Sequence, residues 1–318
     1  MPGMAVCRAS PSLALIKYWG KRGGRENTAA TSSLALTLKG LVTETRVTLI
    51  RGEDVVAVGG EVQEPRRYAA FFANLRASTG ITDGFHAESH NSFPTSAGLA
   101  SSSSGFAALA WACTLAAGLN LPAEQVSALA RVGSASAARA VFGGWVALPA
   151  GARSARRLQG PEHWPEIRVV VVTVHAGAKE VSSRDAMGLV RESSPFYGAW
   201  VRDSRRLAEK AELALARRDL AALGEAMRAS TYRMFATMLG ASPPLLYWQP
   251  DTLRVISECA RLRAAGVGAW ETMDAGPQVK IFCVAQDLER IAAAVGRLSS
   301  DWTILVSEAG PDPVCEPE

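Results

Sequence analysis

The sequence predicts an α+β protein with two lobes meeting near residue 177, and three observations carry that expectation. Short β-type runs and helical segments are mixed in the first half. A near-continuous β-branched run, Ile167 to His175, closes that half as a buried strand. Long amphipathic helices then dominate the second half.

Taken in order, Ser12 to Trp19 is a short apolar stretch broken by one lysine, and Leu34 to Leu49 alternates and is rich in Thr, Val and Leu; both read as strands. Apolar residues recur at helical spacing from Arg66 to Arg76. Leu99 to Leu119 is a long Ala/Ser/Leu helix preceded by the loop residues Pro94 and Gly98. Ala123 to Val132 gives another helix, and a short one from Ser134 ends at the Gly143-Gly144 pair. Beyond residue 177, helices are expected over Val201 to Ala216, Leu220 to Leu239, Asp251 to Ala265 and Leu288 to Leu298, with strands at Val279 to Ala285 and Thr303 to Val306. No internal repeat is visible. Ala309 to Glu318, with three prolines, reads as a loosely held tail.

Composition narrows the function classes. With 318 residues, 48% hydrophobic and 20% charged, the chain has enough apolar material for a sizeable core. The start of the chain lacks the apolar stretch of a signal peptide, and no run of about 18 apolar residues occurs, so a cytoplasmic protein without a membrane partner is expected. The net charge of +4 arises from nearly balanced acids and bases. That does not favour nucleic-acid binding and is compatible with phosphorylated substrates. Five scattered cysteines with no CxxC pair read as reduced thiols. His86 and His90 have zincin spacing, but Glu88 is one place late for HExxH, so they read as surface or packed histidines.

Four features carry chemistry. The first is the loop and helix start FPTSAGLASSSSGFAALA, Phe93 to Ala110. Its small residues let phosphate oxygens approach backbone N–H groups at a helix N-terminus, and the hydroxyls of Ser101, Ser102, Ser103 and Ser104 can add hydrogen bonds or hold magnesium. It is neither a Walker A loop nor a dinucleotide fingerprint. The second is Lys17, an ammonium among apolar neighbours that needs a partner if it is buried. The third is Asp274 in TMDAGPQVKIF, a carboxylate beside a Gly-Pro turn that can act as a base stabilised by a lysine. The fourth is Arg139, three residues after Ser136 on one helix face, where a guanidinium can fork to a carboxylate. Each has a plainer reading when taken alone: a helix start packed on a sheet, a snorkelling lysine, a turn-forming Asp, a solvated Arg.

Together the motifs ALIKYWGKR (Ala14 to Arg22), TSSLALTL (Thr31 to Leu38), FPTSAGLASSSSGFAAL (Phe93 to Leu109), SASAARAVFGG (Ser134 to Gly144), KEVSSRDAM (Lys179 to Met187) and DAGPQ (Asp274 to Gln278) resemble the diphosphomevalonate decarboxylase family of the GHMP kinase superfamily. The resemblance implies a two-lobed GHMP kinase fold, with a ribosomal S5 domain 2-like N-terminal lobe over residues 1–176 and a ferredoxin-like C-terminal lobe over 177–318. It implies ATP and Mg2+ as cofactors, a phosphorylated hydroxy acid as substrate, and commonly a homodimer. Asp274 would sit beside the substrate 3-hydroxyl, Lys17 beside Asp274, and Arg139 at the C1 carboxylate. Pro94, Ser96, Gly98, Leu99, Ala100, Ser101, Ser102 and Ser103 would meet the nucleotide, Ser102 being the likelier catalytic serine and a magnesium contact. Tyr18, Lys21, Arg67, Ser134, Ser136, Ser183 and Arg184 would surround the 5-phosphate or diphosphate.

The chain departs from the family pattern at Ser12, Thr31, Ala135, Phe235 and Gln278, where asparagine, asparagine, glycine, histidine and asparagine are usual. The implied reaction is ATP-dependent 3-phosphorylation followed by decarboxylation of 5-diphosphomevalonate or of 5-phosphomevalonate. The alternatives are a mevalonate 3-kinase that does not decarboxylate and a non-catalytic GHMP-fold metabolite binder. A serine hydrolase is disfavoured, because no GxSxG elbow occurs.

Overall fold

A computed structural model describes residues 3–23, 26–93, 101–175, 177 and 181–318. The described residues form three sheets and nine helices. The first sheet has the order β14-β1-β4-β7-β5-β6 and is built from β1 (Met4–Ala9), β4 (Thr43–Ile50), β5 (Val55–Val58), β6 (Glu61–Val62), β7 (Gly84–Asn91) and β14 (Val314–Pro317). Its pairings are antiparallel except for β5 with β7. Helices α1 (Ala69–Thr79), α2 (Ser101–Ala116), α3 (Ala123–Gly133) and α4 (Ala137–Ala140) pack with it around one core, which contains Phe71, Phe72, Phe85 and Phe106. Helix α2 is rich in alanine and buried along most of its length, so its neighbours approach closely. Gly133 makes one such approach possible, since a Cβ there would stand 2.1 Å from the Phe106 ring.

The second sheet, β2-β3-β8-β9, comprises β2 (Ser12–Ile16), β3 (Ser33–Thr37), β8 (Trp145–Leu148) and β9 (Arg156–Gln159). The third, β11-β12-β10-β13, comprises β10 (Ile167–Thr173), β11 (Trp270–Thr272), β12 (Val279–Val284) and β13 (Thr303–Ser307). Val169 to Val172 are fully buried because β10 is central in its sheet and covered on both faces. One face meets the second sheet through Leu15, Leu34, Trp145 and Phe282. The other belongs to a core that includes residues of α5 (Ser183–Ser193), α7 (Leu220–Leu239), α8 (Pro250–Ala264) and α9 (Leu288–Gly296). Helix α6 (Tyr197–Ala216) runs against α7 and supplies Leu207 and Leu215 to the layer between the sheets.

Two expectations are corrected. The segment from Ala309 is not a loose tail: β14 pairs antiparallel with β1, Gly310 N donates to Thr37 O at 2.8 Å, and Gly144 N donates to Gly310 O at 2.9 Å. Its prolines lie at or outside the ends of the strand and leave the pairing intact. The backbone of Pro311 crosses Gly143 so closely that a Cβ there would lie 2.3 Å from its carbonyl carbon, which is why that position is glycine. Nor are all the cysteines reduced thiols. Cys7 and Cys315 face each other in the β1/β14 register and form a disulfide, while Cys113, Cys259 and Cys283 are buried free thiols. A separation of 308 residues leaves no spacing signal for that pair.

One local reading also shifts. Leu34 to Leu49 is two strands, β3 and β4, separated by a turn at Lys39-Gly40, and Gly40 has a φ of 80°. His86 and His90 lie on β7, a strand. The helix expected to start at Leu99 is described from Ser101.

Asp312 Oδ1 accepts from Gly143 N at 2.8 Å and also pairs with Arg157, fastening the C-terminal segment to the turn after α4. Asp312→Ala is expected to lower unfolding free energy by about 1 kcal/mol, the net worth of a partly exposed charge-assisted hydrogen bond. Urea denaturation of the two proteins checks this.

Candidate active site

Strand β2 carries a bulge between Ala14 and Ile16 and ends there, so Lys17 leaves the ladder instead of continuing it. Its backbone N donates to Ser230 Oγ of α7 at 2.9 Å. Its side chain turns back, and Nζ donates to Ala14 O at 2.7 Å and to Asp274 Oδ1 at 2.9 Å. Lys17 is 1% exposed, whereas the Asp274 side chain is 31% exposed and opens to the cleft. Burial is the main influence on Lys17 and pulls its ammonium down to about 8; Asp274 pushes the other way, while Lys280 and Arg139 add repulsion.

Asp274 stands in the turn between β11 and β12. Met273 and Ala275 on either side of it are buried in the C-terminal core, and Thr252 Oγ1 of α8 donates to Pro277 O at 2.7 Å. The turn is therefore held from behind while its carboxylate faces forward. Its other oxygen, Oδ2, lies 3.4 Å from Lys280 Nζ.

Arg139 comes from the short helix α4 and is 2% exposed. Nη1 donates to Ser33 Oγ at 2.7 Å, and among the described residues Nε has no partner. Desolvation lowers its guanidinium to about 10, so it remains charged at neutral pH. The neighbouring Tyr18 hydroxyl is likewise buried without a partner among the described residues, and burial raises its phenol.

Lys17, Tyr18, Arg139 and Asp274 line a cleft of about 490 Å³, together with Lys21, Arg67, Ser102, Ser134, Ser136, Ser183 and Arg184. Ser134 Oγ and Ser136 Oγ are 2.9 Å apart at the start of α4. Lys21 Nζ donates to Asn27 Oδ1 at 2.6 Å; burial lowers its ammonium to about 8, and repulsion from Arg184 adds to that. Ser183 and Arg184 open α5, whose N-cap Ser182 accepts from Asp185 N at 3.2 Å. Ser102 lies in the first turn of α2. Two helix N-termini, each with partial positive charge, thus face the same space. Ser101 is half-buried at the helix start and Ser103 is buried. Pro94, Ser96, Gly98, Leu99 and Ala100 lie outside the described residues.

The residues read from sequence as catalytic or substrate-binding thus converge on one cleft. The sequence reading missed Lys280, a lysine inside an otherwise apolar strand, although the same signal had singled out Lys17. It also missed Ser182, which the Ser-x-x-Asp capping pattern before α5 marks. Among the described residues, no group of three or more His, Cys, Asp or Glu is placed to hold a metal ion.

The α+β frame, with the first turn of α2 and a lysine-held carboxylate on one cleft, is that of a two-lobed GHMP-type fold. Family models place the chain more narrowly: "Diphosphomevalonate decarboxylase-like N-terminal domain" matches residues 9–158, and "Mevalonate 5-diphosphate decarboxylase C-terminal domain" matches residues 169–308. The chain is 31% identical to the diphosphomevalonate decarboxylase of Aspergillus fumigatus, over 92% of this chain and 79% of that protein. The solved mevalonate diphosphate decarboxylase from Enterococcus faecalis superposes with a TM-score of 0.92 at 35% identity, over 100% of both chains. A structure described as "MDDEF in complex with MVAPP, AMPPCP and Magnesium" gives 0.93 at 35% identity, again over 100% of both chains. This chain belongs to the diphosphomevalonate decarboxylase family.

Because Asp274 raises the Lys17 ammonium against the pull of burial, Asp274→Asn should lower it further. Nitrogen-detected NMR of the lysine side chains is expected to show Lys17 titrating near pH 8 in the native protein and below that in the variant. An unmoved titration would separate the two groups electrostatically.

Proposed function

We propose that this protein uses ATP to phosphorylate the 3-hydroxyl of 5-diphosphomevalonate and then to decarboxylate the product, releasing isopentenyl diphosphate, ADP, phosphate and carbon dioxide. The observation that carries this reading is the Asp274 carboxylate, held by buried Lys17 and facing a cleft that also holds Arg139 and the N-terminal turn of α2. The same proposal takes residues 1–176 and 177–318 as the two lobes, with β10 of the first paired into the sheet of the second. Action in the cytoplasm as a homodimer is part of the same proposal, to be tested by fractionation and light scattering.

Each part has a chemical task. A tertiary alcohol is a poor leaving group, so the hydroxyl must first be made a phosphate ester. Asp274 accepts its proton as the oxygen attacks the γ-phosphorus of ATP, and the α2 N-terminus with Ser102 stabilises charge on the phosphates. Loss of that phosphate leaves positive character at C3; as the phosphate departs it takes the proton back from Asp274, whose restored anion stabilises that positive character. Arg139 holds the C1 carboxylate, using donors such as its Nε, until the carbon–carbon bond breaks and carbon dioxide leaves with the C2–C3 double bond formed. Magnesium suits a site with Ser102 and few carboxylates, because it binds largely through nucleotide phosphates; when bound it would neutralise phosphate charge.

The diphosphate end fits Lys21, Arg67 and Arg184 with Tyr18, Ser134, Ser136 and Ser183 at the mouth of α5. Lys21 and Arg184 repel each other when no anion lies between them, and a diphosphate relieves that repulsion. This charge favours the diphosphate over the monophosphate as the better substrate.

Incubation with ATP, magnesium and, in turn, mevalonate, 5-phosphomevalonate and 5-diphosphomevalonate should yield ADP and carbon dioxide in equal amounts, fastest with the last. ADP without carbon dioxide would mark a 3-kinase, and no ADP from any of them a non-catalytic binder.

Asp274→Asn keeps size but removes the base and the charge. Turnover should fall at least about a hundredfold while the Kd for ATP changes little. Loss of ATP affinity and of folded stability with turnover per folded molecule intact would make Asp274 a turn-former only.

A further inference from the structure

Lys280 is the second residue of β12, between Val279 and Ile281, and strand alternation puts it on the face that carries Phe282. Phe282 packs with Leu15, Leu34 and Trp145 in the layer between the second and third sheets. An ammonium beside that layer, 1% exposed, is costly to bury, and an apolar side chain of similar volume would serve the core at least as well. Packing therefore gives no reason for the charge.

The reason lies in what the ammonium meets. Lys280 Nζ is 3.4 Å from Asp274 Oδ2, while Lys17 Nζ is 2.9 Å from Oδ1. Two cations thus hold the two oxygens of one carboxylate from different parts of the fold: Lys17 from the segment after β2, Lys280 from the strand that follows the Asp274 turn. The Lys280 contact closes that turn on itself and limits rotation of the carboxylate. Other polar and charged groups among the described residues stand around them. Arg139 and the Tyr18 phenol face the same space from the first half of the chain. Glu271 on the neighbouring β11 is engaged by Arg228 of α7 and Arg263 of α8, and Ser230 and Thr231 of α7 bring only hydroxyls.

We propose that Lys280 is a positioning residue for the reaction, fixing Asp274 in one rotational setting and keeping it anionic as the negatively charged substrate enters the cleft. The inference rests on the function proposed above. A substrate bearing a carboxylate and phosphates pushes any nearby carboxyl toward its protonated form, in which it can neither take the hydroxyl proton nor stabilise positive character at C3. A second ammonium on Oδ2 opposes that push without occupying the oxygen that Lys17 holds.

The test is Lys280→Met in the full chain, with Lys280→Gln as a second neutral variant in case the first does not fold. Steady-state rates with 5-diphosphomevalonate, ATP and magnesium are measured across pH, and the Asp274 carboxyl is titrated by carbon-detected NMR without ligands. We expect kcat to fall roughly 10–100-fold with little change in the KM for ATP, as for a misplaced reacting group. The acid limb of the pH profile and the Asp274 titration should both move up by about 1 pH unit, the low end for loss of one nearby opposite charge. A merely structural lysine would lower activity and stability with neither titration moved, and that result in a folded variant overturns the proposal. An inactive wild type would instead overturn the proposed function, and this role in it, whatever the NMR titration reads.

Discussion

The ion pair between Lys17 and Asp274 joins residues 257 apart in sequence, and much of the architecture serves to bring them together. The bulge that ends β2 releases Lys17 from its ladder, Ser230 on α7 receives its backbone N–H, and the buried Met273 and Ala275 pin the turn that presents the acid. Burial removes water from the lysine and so strengthens its hold on the carboxylate, at a cost in ammonium stability that draws Lys17 down to about 8. Such a pair is a poor device for stability alone. It is a good device for holding an anion ready at the edge of a cleft.

Around that pair, fixed positive potential accumulates. Two helix N-termini, a buried arginine with an unpartnered Nε among the described residues, and the repelling neighbours Lys21 and Arg184 face one space. In the free protein these groups are poorly compensated by one another, and a polyanionic ligand relieves them together. For the reaction proposed above, binding of the phosphorylated end would contribute free energy that holds the distant alcohol and carboxylate where they react.

The long helices and the β10 run were legible in the sequence because each keeps one period over many residues. The site was legible where unusual residues stood against their surroundings: a lysine in an apolar run, an Asp before Gly-Pro, small residues ahead of a helix. What escaped has a common cause. Strands β1 and β14 are short, and β14 becomes the edge of its sheet only by pairing with β1 from the far end of the chain. The same distance hides the Cys7 and Cys315 pairing. Lys280 stands in an apolar run as Lys17 does, but its partner is known only once the DAGPQ turn is folded back on its strand.

The return of β14 to β1 has a consequence for how the chain is made. Residues 4–9 present an open sheet edge until β14, encoded far downstream, has emerged to cover it. The first sheet is begun before the other two and completed after them. Its edge must stay unpaired with foreign strands while some 300 residues are translated, a wait on the order of 15–60 seconds at 5–20 residues per second. The turn after α4, which Asp312 and Gly310 fasten near Arg139, shares that delay, so the cleft reaches its final form only after residues 310–317 have joined the first sheet.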